Sequence, residues 1–164
     1  MVISMKTYAS MVPDDPRRFY PPFVPVLPYE PLKTCFEIIE SPEDIQRGVI
    51  SKVTFNECDL IANLTGFVLY EQTLHSLQVR EGLYYADEFF AGYLIHSCEP
   101  NAKLIMDPFS LEAISAIKPF TLITIDYCAT EKDLFQKFQC KCGSPKCRGW
   151  ISGYGDSLPE KIKK

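Results

Sequence analysis

The chain alternates short apolar runs with turn residues, a pattern that is typical of β-strands. Its apolar or alternating segments are four to seven residues long and are bounded by Gly, Pro and Asp positions, which favours strands over long helices. Helical patterning is confined to residues 85–93 and 131–137. The pattern therefore predicts a mainly β domain with few, short helices. Strands are expected at residues 35–40, 47–53, 60–65, 77–80, 103–106, 111–117 and 122–127.

Residues 1–33 differ from the rest because they hold more than half of the chain's 13 prolines. Proline removes a backbone donor and does not fit helix interiors, so we expect an extended arm. The arm also carries four aromatic residues that predict packing on the body: Phe19, Tyr20, Phe23 and Tyr29. The predicted organisation is this arm, a body of residues 34–129 and a tail of residues 130–164.

Composition limits the class of protein. The 164 residues are 46% hydrophobic and 23% charged, as in a single globular domain with a real core. A net charge of −4 argues against a broad nucleic-acid-binding face. No apolar run approaches the roughly 18 residues that span a bilayer, and residues 1–6 lack the apolar stretch of a secretion signal. We therefore expect an intracellular protein, cytoplasmic or nuclear, without membrane contact.

The tail carries a dense cysteine motif, C-x-C-x4-C, formed by Cys140, Cys142 and Cys147. Three thiolates and one further ligand make a tetrahedral zinc site, and structural zinc sites are closed by a fourth Cys or His. Cys98 is the natural fourth ligand, and it would tie a mid-chain loop to the tail. A closed site has no open position for water, so the zinc is expected to be structural. The other cysteines are expected to be small buried side chains: Cys35, Cys58 and Cys128.

Three segments together resemble the signature motifs of SET-domain protein lysine methyltransferases with a post-SET zinc tail. They are HSCEPN at residues 96–101, ITIDY at residues 123–127, and the cysteine motif followed by Arg-Gly-Trp at residues 148–150. The resemblance covers residues 35–153. It implies a SET-domain fold of small curved sheets, with a knot-like crossing in which residues 96–101 thread under the strand ending at Tyr127, and a zinc-stapled tail.

The same resemblance implies a chemistry and a set of site residues. S-adenosylmethionine would donate a methyl group to a lysine of a protein or peptide, and Tyr127 would orient the incoming amine. His96 would contact the adenine through its backbone, and Trp150 would stack on it. Taken singly, Tyr127 and His96 fit core positions better than functional ones, and a packing role for Trp150 stays open. The cofactor-binding residues implied are Arg47, Gly48, Tyr93, Ile95, His96 and Trp150.

The chain departs from the family pattern at several positions. Ile95 replaces an asparagine, and a lost hydrogen bond to a charged group costs about 1.5–3 kcal/mol. Gln46 replaces the first glycine of a Gly-x-Gly turn. Only sixteen residues separate Val79 from His96, a short insert that predicts an open peptide groove. Aromatic residues of this insert either line a channel for a lysine stem or belong to the core: Tyr84, Tyr85 and Phe90.

The sequence thus predicts an S-adenosylmethionine-dependent methyltransferase that acts on lysine in a protein or peptide. Two alternatives remain open at this point. A SET fold with weak catalysis would serve as a binding or scaffold module, which the replacement at Ile95 permits. An enzyme of the same fold would act on a small molecule, which an open groove permits.

Overall fold

The protein is described by a computed structural model that covers residues 14–40 and 47–155. Its regular structure is mostly β, with one 3-10 turn at Ala91–Tyr93 and one helical turn, α1, at Tyr127–Thr130. The strands are β1 (Phe36–Glu40), β2 (Arg47–Ser51), β3 (Leu60–Asn63), β4 (Phe67–Leu69), β5 (Ser76–Arg80), β6 (Leu83–Ala86), β7 (Ile95–His96), β8 (Ala102–Met106), β9 (Phe109–Ala113), β10 (Thr124–Ile125), β11 (Phe138–Gln139) and β12 (Trp150–Ile151).

These strands form small sheets rather than one large sheet. Two three-stranded antiparallel sheets have the orders β3-β9-β8 and β4-β6-β5, and β1-β2 and β11-β12 are antiparallel pairs. Among the described strands, only β7 and β10 pair in parallel, with Ile95 opposite Thr124 and His96 opposite Ile125. This pair brings the segment at residues 96–101 against the strand that leads to Tyr127. The predicted fold class, mainly β with few short helices, is confirmed.

The two helices predicted from the sequence were placed wrongly. Residues 85–93 begin in strand β6, and their helical turn covers Ala91–Tyr93 alone. The Asp87 carboxylate accepts the backbone N–H groups of Phe89, Phe90 and Ala91, so this stretch is a capped turn. Residues 131–137 contain no helix, because the helical turn lies earlier and the backbone at Glu131 is extended.

The helical turn α1 begins where Asp126 can cap it. The Asp126 side chain accepts the N–H of Cys128, which is the usual role of an aspartate at a helix start. The sequence also failed to indicate strands β4 and β6. Tyr84 and Tyr85 of β6 point to opposite faces of the strand, because successive side chains alternate. Among the described residues, no helix is both long and apolar enough to cross a bilayer.

The core lies between the small sheets and is closed on one side by the described part of the arm. Phe90 is fully buried at its centre, and its ring centroid lies 5.3 Å from that of Phe19. Tyr20 is also buried, and its hydroxyl donates to Asp87 at 2.9 Å. Phe23 and Tyr29, by contrast, are exposed. The arm therefore packs on the body through two of its four aromatic residues.

Candidate functional site

A cavity of about 730 Å³ opens beside the parallel pair β7–β10. Its wall comes from three separated stretches, within residues 72–77, 91–96 and 127–142, with Arg47 from β2 at the edge. Its volume lies within the range of about 300–1,000 Å³ that is usual for small-molecule sites. The cavity therefore brings together distant parts of the chain around the end of strand β10.

Tyr127 forms part of the cavity wall directly after β10. Its hydroxyl donates to the Leu94 carbonyl at 2.7 Å, and its ring centroid lies 5.3 Å from that of His96. Burial, with a smaller contribution from the charge of Glu131, raises the pKa of Tyr127 to about 12. The phenol therefore stays neutral at physiological pH. Because its hydrogen points to Leu94, the oxygen keeps lone pairs that can accept a hydrogen bond.

His96 connects Tyr127 to the cysteines. Its side chain is 2% exposed, and burial lowers its pKa to about 4, so the ring is neutral. The Tyr127 backbone N–H donates to Nδ1 at 3.3 Å, which leaves the proton on Nε2. Nε2 lies 3.4 Å from the Cys98 Sγ and is placed to donate to it. A hydrogen bond of this kind orients and tunes a metal-binding thiolate.

Four cysteine sulfurs meet beside the cavity, from Cys98, Cys140, Cys142 and Cys147. All four lie within 4.8 Å of one another, and the Cys98 and Cys140 sulfurs are 3.8 Å apart. A tetrahedral site with Zn–S bonds of about 2.3 Å has S···S edges of about 3.8 Å. The Arg148 backbone N–H also donates to the Cys98 Sγ at 3.3 Å. The four thiols and their spacing therefore fit zinc.

Two thiols of this cluster have pKa values that are shifted in opposite directions. Hydrogen bonds from the backbone of Cys98 and Ser144 lower the pKa of Cys142 to about 6. Burial raises the pKa of Cys140 to about 12. A zinc ion binds cysteines as thiolates, so metal binding at this cluster would release protons. Zinc affinity is therefore expected to fall as the pH falls.

The cysteine cluster and the Tyr127 segment are linked by charge as well. Arg148, which follows the last cysteine, donates to the Asp126 carboxylate at 2.5 Å. Asp126 in turn caps the helical turn that carries Tyr127. Cys140 and Cys142 also line the cavity. The cluster therefore holds the tail against the cavity and the residues around Tyr127.

At the edge of the cavity, Arg47 lies over the ring of Tyr93. The guanidinium carbon is 5.5 Å from the ring centroid, and Nη1 is 3.4 Å from the Tyr93 hydroxyl. Ile95 lines the wall nearby. Strand β2 approaches closely here, since a Cβ on Gly48 would lie 2.9 Å from Leu122 and 3.7 Å from Ile95. The structure thus gathers Arg47, Tyr93, Ile95, His96 and Tyr127 around one cavity.

Other residues singled out from the sequence lie elsewhere. Phe90 belongs to the core. Of its two predicted positions, in the core or in the wall of a lysine channel, the second is therefore wrong. The Tyr85 ring stacks on Phe109, with centroids 4.6 Å apart. Trp150 is half-buried in β12 and pairs with Gln139, which lines the cavity. Gln46 lies outside the described residues. Within the described residues, the cavity lining does not include Gly48, Tyr84, Tyr85, Phe90 or Trp150.

Among the cavity residues that the sequence did not indicate are Phe138 and Glu131. Phe138 lies 5.9 Å from the His96 ring and 6.2 Å from the Tyr127 ring, measured between centroids. Its position two residues before Cys140 was the signal, because a residue so close to a zinc ligand is held in place. Glu131 lines the cavity and is 3% exposed. Nothing in its sequence context indicated burial.

Comparison with solved structures defines the class of fold. The chain is similar to KRYPTONITE in a crystal structure with mCHG DNA and SAH, at a TM-score of 0.58 and 20% identity. A second KRYPTONITE structure contains mCHH DNA, an H3(1-15) peptide and SAH, with a TM-score of 0.56 and 20% identity. The match to the methyltransferase domain of human histone-lysine N-methyltransferase SETMAR has a TM-score of 0.57 at 17% identity. The chain has the SET-domain fold, as its motifs predicted.

The matches cover only part of the known proteins. The KRYPTONITE matches span 70% of this chain and 28–29% of that protein, and the SETMAR match spans 72% and 58%. In sequence, the chain is 37% identical over 67 residues to methyltransferase flvH of Aspergillus flavus. That match covers 39% of this chain and 37% of flvH. No protein-family model matches the chain.

Proposed function

We propose that this chain is an S-adenosylmethionine-dependent methyltransferase that methylates lysine in a protein or peptide. The observation that carries the proposal is the neutral Tyr127 hydroxyl, held by the Leu94 carbonyl in the wall of a ligand-sized cavity. The relatives support it, since the solved KRYPTONITE structures contain SAH, one with an H3 peptide, and flvH is named a methyltransferase.

The residues around the cavity suit the parts of this cofactor. Arg47 offers a positive charge to a carboxylate at the cavity edge, and its stacking on Tyr93 orients it. Phe138 offers aromatic surface to a flat base, and the buried His96 ring packs against it. Trp150, on the strand paired with β11, stays a prediction for the same role. When bound, S-adenosylmethionine supplies an electrophilic methyl group.

Tyr127 would act by orientation. A lysine has an unperturbed pKa of about 10.4 and arrives as an ammonium, which has no free lone pair for attack. Transfer from water into a buried site disfavours that charge and helps to release the proton. The Tyr127 oxygen can then accept an N–H of the neutral amine, because its own hydrogen is engaged by Leu94. Alignment of the amine lowers the barrier through proximity.

Zinc would serve structure in this scheme. Four thiolates leave no coordination position for water or substrate, so the ion supplies no Lewis-acid chemistry. Its role is to hold residues 140–148 beside the cavity, where Cys140 and Cys142 form part of the wall. Loss of the metal is therefore expected to weaken ligand binding as well as stability.

A binding titration followed by a transfer assay tests this function. S-adenosylmethionine is titrated into the zinc-loaded protein by calorimetry, and labelled methyl transfer is then measured to an H3(1-15) peptide and to a mixed lysate. The proposal expects binding, and label on lysine after hydrolysis. Absence of binding would refute it. Binding without label on any protein or peptide would instead indicate a binding module.

A further inference from the structure

Glu131 is a buried carboxylate on the wall of the cavity, beside Tyr127. It follows the helical turn α1, and its backbone N–H donates to the Tyr127 carbonyl at 2.8 Å. Residues four apart on a helical turn lie on the same face, so the two side chains are neighbours. Their electrostatic contact contributes to the raised pKa of Tyr127. Glu131 is only 3% exposed.

The carboxylate is held by a network of hydrogen bonds. Its Oε1 accepts the backbone N–H of Gln78 at 2.8 Å, and its Oε2 accepts the Gln72 side-chain amide at 3.3 Å. Gln78 returns a bond, since its Oε1 accepts the N–H of Lys132 at 2.7 Å. The Glu131 carbonyl accepts the N–H of Tyr154 at 2.9 Å. The position of the carboxylate is therefore set by β5 and the tail together.

These partners supply no positive charge. Within residues 14–40 and 47–155, Glu131 forms no ion pair with a lysine, arginine or histidine. A buried carboxylate without a cation carries a desolvation penalty, and burial raises the pKa of Glu131 accordingly. A carboxylate offers about four acceptor positions, so lone pairs remain for another donor. This cavity-lining charge lacks a counter-charge in the described protein.

We propose that Glu131 is the counter-charge for an onium centre, a sulfonium or an alkylammonium, of a ligand bound beside Tyr127. The proposal rests on the proposed function, in which S-adenosylmethionine carries a sulfonium and lysine an ammonium. Glu131 is then a residue that makes the cavity select cationic ligands. Its competing role is that of a structural link between the tail and β5, which the bonds to Gln72 and Gln78 provide by themselves.

Glu131→Gln is the central variant, because it removes the charge and keeps the shape and the acceptor for Gln78. Gln78→Met is the matched control, since it removes the bond to Lys132 but keeps both the Glu131 charge and the Gln78 backbone N–H. Calorimetry on zinc-loaded protein measures two ratios of affinity. The first compares S-adenosylmethionine with neutral S-adenosylhomocysteine. The second compares an H3(1-15) peptide with its lysine-acetylated form, both in the presence of S-adenosylhomocysteine.

The proposal expects at least one ratio to fall by about tenfold in Glu131→Gln, equivalent to about 1.4 kcal/mol. Which ratio falls identifies the sulfonium or the ammonium as the partner. Gln78→Met should lower the melting temperature and leave both ratios near wild type. The proposal is overturned if both ratios in Glu131→Gln stay within twofold of wild type, and Glu131 is then a structural link. If the wild-type protein still binds S-adenosylmethionine and transfers methyl groups in that case, the proposed function remains intact. If the wild-type protein binds neither the nucleosides nor the peptides, the role of Glu131 and the proposed function are both refuted.

Discussion

Tyr127→Phe separates the catalytic role of Tyr127 from its structural role. The substitution keeps the ring and removes only the hydroxyl, which donates to the Leu94 carbonyl at 2.7 Å. Leu94 is buried, so its carbonyl loses a partner that water cannot readily replace. Loss of one such hydrogen bond costs about 0.5–1.5 kcal/mol, and up to about 3 kcal/mol if the carbonyl stays unsatisfied. A change of 1 kcal/mol shifts the melting temperature of a chain this size by about 2–4 °C.

The effect on catalysis should exceed the effect on stability. If the Tyr127 oxygen accepts an N–H of the incoming amine, its removal should slow methyl transfer at least about tenfold, or about 1.4 kcal/mol of barrier. Affinity for S-adenosylmethionine should stay near wild type, because the ring and its contact with His96 remain. Three measurements separate these effects. Calorimetry gives the affinity for S-adenosylmethionine, single-turnover transfer of a labelled methyl group gives the rate, and chemical denaturation gives the stability.

Tyr20→Phe is the matched control. Tyr20 is also buried, and its hydroxyl donates to the Asp87 carboxylate at 2.9 Å, away from the cavity. Because a bond to a charged group is worth about 1.5–3 kcal/mol, this variant should be destabilised at least as much. Its transfer rate should nevertheless match wild type below both melting transitions. Equal loss of rate in the two variants, or a rate in Tyr127→Phe within twofold of wild type, would refute the catalytic role.

Three further changes probe the metal and the cavity wall. Protein purified without chelator should contain one zinc per chain by elemental analysis. Cys142→Ser should lose the zinc and melt at a lower temperature. Cys58→Ser, at an exposed cysteine outside the cluster, should keep both the zinc and the melting temperature. Zinc retained in Cys142→Ser would contradict the ligand set. Ile95→Asn should tighten S-adenosylmethionine binding by up to about 1.5–3 kcal/mol, and a less stable protein without tighter binding would argue against this cofactor pose. Gly92→Ala would place a Cβ 2.6 Å from the Asp87 carbonyl, so denaturation should show a loss of about 1–3 kcal/mol, and unchanged stability would rule out this close approach.

The fold class and the cysteine cluster followed from the sequence because they depend on local signals. Strand periodicity and turn residues are properties of four to seven neighbouring positions, so each predicted strand overlaps a strand of the structure. Cys140, Cys142 and Cys147 lie within eight residues, and a tight turn brings their sulfurs together. The motif at residues 96–101 named Cys98 as their partner, and the four sulfurs meet in the structure.

The placement of the short helices was decided by single side chains in their surroundings. Asp87 and Asp126 each accept backbone N–H groups and start a turn, which ends within a few residues. Periodicity over nine residues gives no information on where such a carboxylate points. The helix predicted at residues 131–137 is absent because the Glu131 carbonyl, which would accept the first bond of such a helix, accepts the backbone N–H of Tyr154 instead. A long-range bond here replaces the local one that a helix would make.

The composition of the cavity wall is the part that only the tertiary structure decides. Pairing of β7 with β10 brings together segments about thirty residues apart, and it sets which faces of Ile95 and Tyr127 meet the cavity. Strands β11 and β12 pair with each other, and β11 is the strand that lies toward the cavity. Phe138 of β11 therefore contacts Tyr127, and Trp150 of β12 does not. Glu131 is buried because Gln72 and Gln78, more than fifty residues earlier in the chain, lie against its carboxylate. Burial and charge pairing depend on the sum of all neighbours in space, and a linear pattern records only neighbours along the chain.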